Sequence, residues 1–174
     1  MSAPTLTRTV RSESPEETHR LGMRLGELLQ PGDFIGLIGD LGAGKTHLVR
    51  GVAEGAQVPR SEVASPTFAI VYPYSGRIPL YHADLYRIAD YDELYATGFL
   101  DLIGGEGAVL VEWLDRVPEA APREYLRLTL RPMGGDGRGL AAALDGVLQR
   151  QGVHHRRQHA DEIGGGAVHP LRRR

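Results

Sequence analysis

The sequence predicts an α/β fold in which helices flank a sheet that contains one antiparallel β-hairpin. Short apolar runs typical of buried strands alternate with amphipathic helical patterns along the chain. A glycine-rich turn joins the first of these strands to a helix, and the dipeptide Ser75–Gly76 separates two strand patterns as a hairpin turn would. With 174 residues, 41% of them hydrophobic, the chain is long enough for one domain with its own core.

The first helix is predicted over residues 14–29, which read SPEETHRLGMRLGELL. Ser14 can cap this helix, Pro15 suits its first position, and Glu17 completes a capping box. Four leucines then recur at helical spacing and define one apolar face: Leu21, Leu25, Leu28 and Leu29.

The next elements build a strand–turn–helix unit. Residues 34–38, FIGLI, form a short apolar run suited to a buried strand. A second helix is predicted over residues 45–54, with Gly55 as its C-terminal stop.

The second half of the chain predicts mainly strands. Residues 91–103 predict a helix interrupted at Gly98, whereas residues 131–146 are compatible with a turn and a last short strand or with a helix. Four segments predict strands: 68–74, 77–86, 108–112 and the alternating 124–130.

The domain boundary is placed at residue 146, so that residues 1–146 form one folded domain. Beyond it, residues 147–174 lose the apolar periodicity and carry four histidines, a Gly-Gly-Gly run and three terminal arginines. This composition predicts a disordered basic tail.

Composition also bears on the compartment and the partners. The chain has no cysteine, its N-terminal segment lacks the apolar core of a secretory signal, and no apolar run approaches the length of a membrane span. We therefore expect a cytoplasmic protein with no membrane contact. The net charge of −2 gives no chain-wide basic field, so any contact with RNA has to be local or shared with a partner.

Residues 39–46, GDLGAGKT, match the Walker A pattern G-x-x-x-x-G-K-[ST], between a predicted strand and a predicted helix. Glycines let successive backbone N–H groups point into one concavity, and the helix that follows directs its positive end to the same place. The sequence thus predicts a P-loop that binds phosphates through Gly39, Asp40, Leu41, Gly42, Ala43, Gly44, Lys45 and Thr46.

Lys45 is the only lysine in the chain, and the other 19 basic side chains that carry a fixed charge are arginines. A compact ammonium on a thin stem fits inside a phosphate-binding loop, whereas a planar guanidinium is wider. The Thr46 hydroxyl is predicted to bind Mg²⁺. Guanine-specific P-loop proteins usually carry an Asn-Lys-x-Asp motif, and this chain has no asparagine, so we expect ATP as the nucleotide.

Four further residues could complete the site. Glu112 ends the apolar run AVLVE, where an acid could hold Mg²⁺, although it could also be an ordinary strand-end acid. Asp84 could orient the attacking water or cap a helix. Thr67, in the loop SPT, could sense the γ-phosphate or belong to a plain turn. Trp113 could stack on the ligand or pack in the core.

The ordered set GDLGAGKT, VRG, SPTF, YHADLYR and VEW resembles the TsaE family (also called YjeE) over about residues 10–145. The resemblance implies a P-loop fold with a mixed sheet. It also implies an ATPase that depends on Mg²⁺ and acts in the pathway of threonylcarbamoyladenosine (t6A) in tRNA. It implies TsaD-like and TsaB-like partner subunits, with tRNA reached through that complex. It further implies phosphate binding by residues 42–46, Mg²⁺ binding by Thr46 and Glu112, help in hydrolysis from Asp84, and adenine contacts near Ser14 and Pro15.

Two other functions remain compatible with the same loop. A small-molecule kinase would need an acceptor pocket and usually a lid that carries arginine, and no lid-like insertion follows the second helix. A protein-interaction module gated by ATP would use the Thr67 loop to signal the bound nucleotide to a partner.

Overall fold

The computed structural model describes residues 7–63, 70–132 and 142–150, with only the backbone described for Thr7 and residues 142–150. Short 3₁₀ turns supplement ten regular elements in this part of the chain. The regular elements are β1 (Thr7–Ser12), α1 (Pro15–Leu28), β2 (Phe34–Ile38), α2 (Lys45–Gly55), β3 (Val71–Ser75), β4 (Pro79–Asp84), α3 (Tyr91–Ala96), β5 (Ala108–Glu112), β6 (Glu124–Pro132) and β7 (Ala142–Arg150).

The described strands form one mixed sheet in the order β1-β7-β6-β2-β5-β4-β3. The central strand β2 pairs in parallel with β5 and β6, and β5 pairs in parallel with β4. The antiparallel pairs are β3 with β4, β6 with β7, and β7 with β1. The predicted mixed sheet and its β3–β4 hairpin are therefore confirmed.

Apolar side chains are buried on both faces of the sheet. One core lies under α1 and α2, where Leu37, Leu48 and Leu110 are each at most 1% exposed. The other lies under α3 and the 3₁₀ turns, around Phe99 and Val111. Because β2 and β5 are buried on both faces, they read as continuous apolar runs, as interior parallel strands do.

Helices α1 and α2 approach each other through glycines. Gly22 and Gly26 lie on α1, and Gly51 and Gly55 lie on α2, in each case one helical turn apart. A Cβ atom on Gly26 would overlap the backbone carbonyl of Val52. The two backbones therefore pack at a distance that leaves no room for a side chain between them.

Replacing Gly26 by alanine is expected to lower the free energy of unfolding by about 1–3 kcal/mol, because the overlap outweighs the higher helix propensity of alanine. Urea unfolding of both proteins measures this difference. Glu27→Ala, at the exposed neighbouring position, is the control and should change stability by less than about 0.5 kcal/mol. A Gly26→Ala protein as stable as the parent would show that the two helices can separate without loss.

Three predictions about the elements need correction. Strand β1 was not predicted, because its sequence TRTVRS has a single aliphatic side chain and the strand depends on pairing with β7. Leu28 is 72% exposed, so it is outside the apolar face, whereas Leu29 is 2% exposed. Helix α2 includes Gly55, and the residue with a left-handed backbone is Gln57, with φ 65°.

The last segment, for which strand and helix were both compatible, is a strand. Strand β7 runs to Arg150, four residues beyond the boundary placed at residue 146. The predicted disorder of the tail from residue 151 onward lies outside the described residues. Within the described ranges, no helix has both the length and the apolar character needed to cross a membrane.

Candidate nucleotide site

The glycine-rich turn lies between the end of β2 and the start of α2. Gly39, Gly42 and Gly44 have φ angles of 152°, 81° and 96°, in the range that favours glycine. A Cβ atom on Gly39 would also meet the backbone of Leu130 on β6. The turn therefore needs glycine at all three positions for its backbone angles, and at Gly39 also for its close approach to β6.

The N-terminus of α2 is open to a ligand. Its N-cap residue is Gly44, which has no side chain to accept a hydrogen bond from the first N–H groups of the helix. Backbone N–H groups at such an end bind phosphate well, because the helix dipole adds to their partial positive charge. The loop and helix thus have the backbone that polyphosphate binding requires, with Leu41 87% exposed at the rim.

Lys45 is the first residue of α2 and is 5% exposed. Its ammonium donates hydrogen bonds to the backbone carbonyls of Gly39 and Asp40, the second at 3.0 Å. The same ammonium lies 3.8 Å from the centre of the Trp113 ring, which is a cation–π contact. The side chain is therefore folded back over its own loop.

The charge of Lys45 is partly desolvated. Burial lowers the pKa of Lys45, and the negative charges of Glu112, Asp115, Asp84 and Asp40 oppose that shift. Four carboxylates thus act electrostatically on the ammonium and favour its charged form.

Glu112 and Asp84 are neighbours across two parallel strands. They end β5 and β4 and are paired in register. Glu112 is 4% exposed, and its Oε1 lies 2.9 Å from His82 Nε2. The Asp84 Oδ1 accepts a hydrogen bond from the backbone N–H of Tyr86 at 2.8 Å, so Asp84 stabilises a turn rather than capping a helix.

Burial raises the pKa of Asp84, and the adjacent negative charge of Glu112 adds to the rise, while the hydrogen bond from the Tyr86 N–H works against it. A raised pKa means that the folded protein binds this proton more tightly than the unfolded chain does. Ionisation of Asp84 therefore lowers the free energy of unfolding, and the loss is complete once the pH is above the raised pKa of the folded protein.

Asp84→Asn should accordingly raise the free energy of unfolding at neutral pH, since asparagine keeps the acceptor oxygen for Tyr86 without the charge. The gain should shrink as the pH falls towards the ordinary aspartate pKa of about 3.9. Urea unfolding of the nucleotide-free protein from about pH 4 to about pH 8 measures this difference. Asp101→Asn, at an exposed carboxylate, is the control and should show no such change with pH. If Asp84→Asn gave the same gain at every pH, the raised pKa of Asp84 would not be its cause.

Trp113 follows Glu112 and has a left-handed backbone with φ 60°. This turn directs its ring to Lys45 on one side, and the Tyr86 ring lies 5.0 Å away, centre to centre. Core packing, one of the two expectations for Trp113, is met in part, because the ring packs against the core around Phe99 under α3. Stacking on a ligand stays a prediction. The indole is half-buried and covers the lysine.

A cavity of about 530 Å³ opens beside the same helix start, between the N-terminal turn of α1 and one face of α2. Pro15 lines it, together with basic side chains that include Arg20, His47 and Arg50. Ser14 is not among the lining residues, because its Oγ accepts the Glu17 N–H as the helix cap. The predicted adenine contacts near residues 14 and 15 thus fall at the edge of a cavity large enough for a base.

The donor set suits magnesium bound together with phosphate. The hydroxyl of Thr46 and the carboxylates of Glu112 and Asp84 are hard oxygen ligands. Among the described residues no three His, Cys, Asp or Glu side chains could hold a metal by themselves. Mg²⁺ commonly takes one or two protein ligands and completes its shell with phosphate oxygens and water, so these residues fit the ion as a partner of a bound nucleotide.

The sequence predicted an acid at the end of each of two strands, and Asp84 and Glu112 lie there. It missed two further residues of the candidate site, His82 and Tyr86. His82 could have been recognised from strand alternation, since it lies two residues before Asp84 on the same face of β4. Tyr86 gives no comparable signal, because its approach to Trp113 depends on the turn after β4. Thr67 lies outside the described residues, and its predicted role stays a prediction.

Comparison with known proteins identifies the family of the chain. The family described as "Threonylcarbamoyl adenosine biosynthesis protein TsaE" matches residues 12–139. The tRNA threonylcarbamoyladenosine biosynthesis protein TsaE of Bacillus subtilis is 41% identical over 129 residues, which are 74% of this chain and 80% of the relative. The protein of the same name from Treponema pallidum is 36% identical over 132 residues, which are 76% of this chain and 97% of the relative.

The fold is also similar to that of a solved structure. The crystal structure of YdiB from Bacillus subtilis superposes with a TM-score of 0.68 and 31% identity, covering 84% of this chain and 88% of YdiB. The match to the family spans the P-loop, both acid-bearing strands and β6. The chain therefore belongs to the TsaE family.

Proposed function

We propose that the protein is a Mg²⁺-dependent ATPase that supports formation of t6A at position 37 of tRNA. The observation that carries the proposal is the meeting of Lys45, Glu112 and Asp84 around one glycine-rich loop at the start of α2. Phosphoryl transfer requires a cation for the phosphate oxygens and acidic side chains that hold Mg²⁺, and these three residues can supply both.

In this proposal the loop binds the phosphates through its backbone N–H groups. Lys45 exchanges its carbonyl partners on Gly39 and Asp40 for phosphate oxygens. Thr46 and Glu112 hold Mg²⁺, which supplies positive charge to the phosphate oxygens. Pro15 and its neighbours at the cavity beside α1 contact the adenine.

Asp84 is proposed to orient the attacking water. Asp84 is paired in register with Glu112 at the ends of β4 and β5, and burial raises the pKa of its carboxyl group. A group of that kind can accept a hydrogen bond from water and later take up its proton.

The partners follow from the family. Curated relatives are named as proteins of tRNA threonylcarbamoyladenosine biosynthesis, and we propose that this chain acts with TsaD-like and TsaB-like subunits. The TsaD-like subunit would transfer the threonylcarbamoyl group, and ATP turnover here would reset the assembly. Contact with tRNA through the complex is compatible with the net charge of −2.

Phosphate release by the full chain, measured alone and then with the partner subunits and tRNA, tests the proposal. We expect slow release alone and faster release in the complex, with t6A formed only when ATP is present. Rapid phosphorylation of a metabolite without partners would favour a kinase. Stimulation of t6A formation by a non-hydrolysable ATP analogue would favour the interaction module gated by ATP.

A further inference from the structure

His82 and Glu112 form a buried pair beneath the candidate nucleotide site. The Nε2–Oε1 distance is 2.9 Å, and the two side chains are 1% and 5% exposed. A buried carboxylate needs a partner to offset its lost hydration. His82 supplies one from a position two residue pairs deeper in the sheet than Asp84.

The strand register shows that the His82–Glu112 hydrogen bond joins residues that are not directly opposite each other. Glu112 is paired with Asp84, and His82 is paired with Leu110. The hydrogen bond therefore crosses from β4 to β5 diagonally, linking the end of β5 to the sheet interior. Diagonal neighbours of this kind are within reach of long side chains, and the contact selects one rotamer of Glu112.

The chemistry of the pair assigns its proton. An ionised carboxylate can only accept, so the neutral imidazole carries its hydrogen on Nε2. His82 Nδ1 is buried and has no hydrogen-bond partner among the described residues, as suits a nitrogen without a hydrogen. The ring also lies against Tyr74, with centroids 6.3 Å apart and the planes 32° from parallel. The imidazole is therefore fixed by packing and bonds Glu112 through one atom.

We propose that His82 is a positioning residue for magnesium binding: it engages Oε1 of Glu112 and so leaves Oε2, in a fixed orientation, as the oxygen for the ion. Partners of this kind orient carboxylate ligands, and their loss typically costs metal affinity tenfold to a hundredfold. This inference rests on the proposed function, in which Glu112 binds Mg²⁺ beside the nucleotide phosphates.

The test compares ADP binding to the full-length chain with and without Mg²⁺ by isothermal titration calorimetry. The measured quantity is the gain in ADP affinity that Mg²⁺ provides. His82→Phe fills the same buried space without a donor, and we expect the gain to fall about tenfold to a hundredfold while Mg²⁺-free binding is unchanged. His82→Gln, whose amide N–H can take the place of Nε2–H, should restore most of the gain.

The controls separate positioning from stability. Val109→Ala removes packing from the other face of β5, where the side chain is 1% exposed, and should lower the thermal midpoint but keep the full gain. If His82→Phe fails to fold, His82→Asn gives the same test, since its amide is too short to reach the carboxylate. A folded His82 variant that lacks the donor but keeps the gain overturns the inference.

Glu112→Gln distinguishes the positioning role of His82 from the proposed role of Glu112 as a ligand of Mg²⁺. If this variant loses the gain and the His82 variants keep it, the positioning role is wrong and the proposed function stands. If Glu112→Gln itself keeps the full gain, Glu112 is not the metal ligand, and that part of the proposed function fails together with the inference.

Discussion

Replacing Lys45 by methionine is expected to reduce ATP hydrolysis by at least about 100-fold and to abolish t6A formation in a strain that depends on this protein. The ammonium would donate charge-assisted hydrogen bonds to phosphate oxygens, each contributing about 1.5–3 kcal/mol, and the loss of one donor to a transition state costs about 10²–10³ in rate. Phosphate release by the purified complex and the t6A content of tRNA measure the two effects.

The fold should survive this change. Methionine keeps an unbranched apolar stem in the buried position of Lys45, so the thermal midpoint should stay close to that of the parent. Arg24→Ala, at an exposed position of α1, removes one positive charge and should leave hydrolysis unchanged. Normal t6A levels with Lys45→Met would contradict the proposed function.

Replacing Glu112 by glutamine is expected to lower the hydrolysis rate by about 10²–10³ while ATP still binds without Mg²⁺. Glutamine keeps the length and one acceptor oxygen for His82, but it lacks the charge that holds the ion. Initial rates of phosphate release across a range of Mg²⁺ concentrations, combined with equilibrium ATP binding, separate the two effects.

The matched control is Glu119→Gln, at an exposed carboxylate seven residues further along the chain. It removes the same charge without touching the candidate site, so its rate should equal that of the parent. If Glu112→Gln hydrolysed ATP at the parent rate, the metal-binding acid would have to be assigned elsewhere, with Asp84 as the next candidate.

The sequence predicted those elements whose pattern is local. The apolar run of β2 and the capping box at Ser14 are examples, and the Ser14 Oγ accepts the Glu17 N–H at 3.1 Å as expected. Strand β1 depends instead on pairing with β7, and β7 depends on pairing with both β1 and β6. Residues far apart in the chain pair along both strands, and no local pattern in either segment shows that.

The same distinction applies to the candidate site. The loop, Glu112 and Asp84 were predictable, because a motif or a strand end marks each of them. The partner of Glu112 was harder to predict, because strand alternation places His82 on the same face as Asp84 but its contact with Glu112 depends on the β4–β5 register. The position of Trp113 over Lys45 depends on a left-handed turn that few non-glycine residues adopt.

The contact between Lys45 and Trp113 gives the protein an intrinsic optical probe. The chain has a single tryptophan, so its fluorescence arises from one indole at the mouth of the loop. A ligand that draws the ammonium away removes a positive charge 3.8 Å from that ring, and the emission changes with it. Stopped-flow mixing with ATP can therefore follow the lysine's movement in the unlabelled protein, and phosphate arrival can be timed separately from bond cleavage.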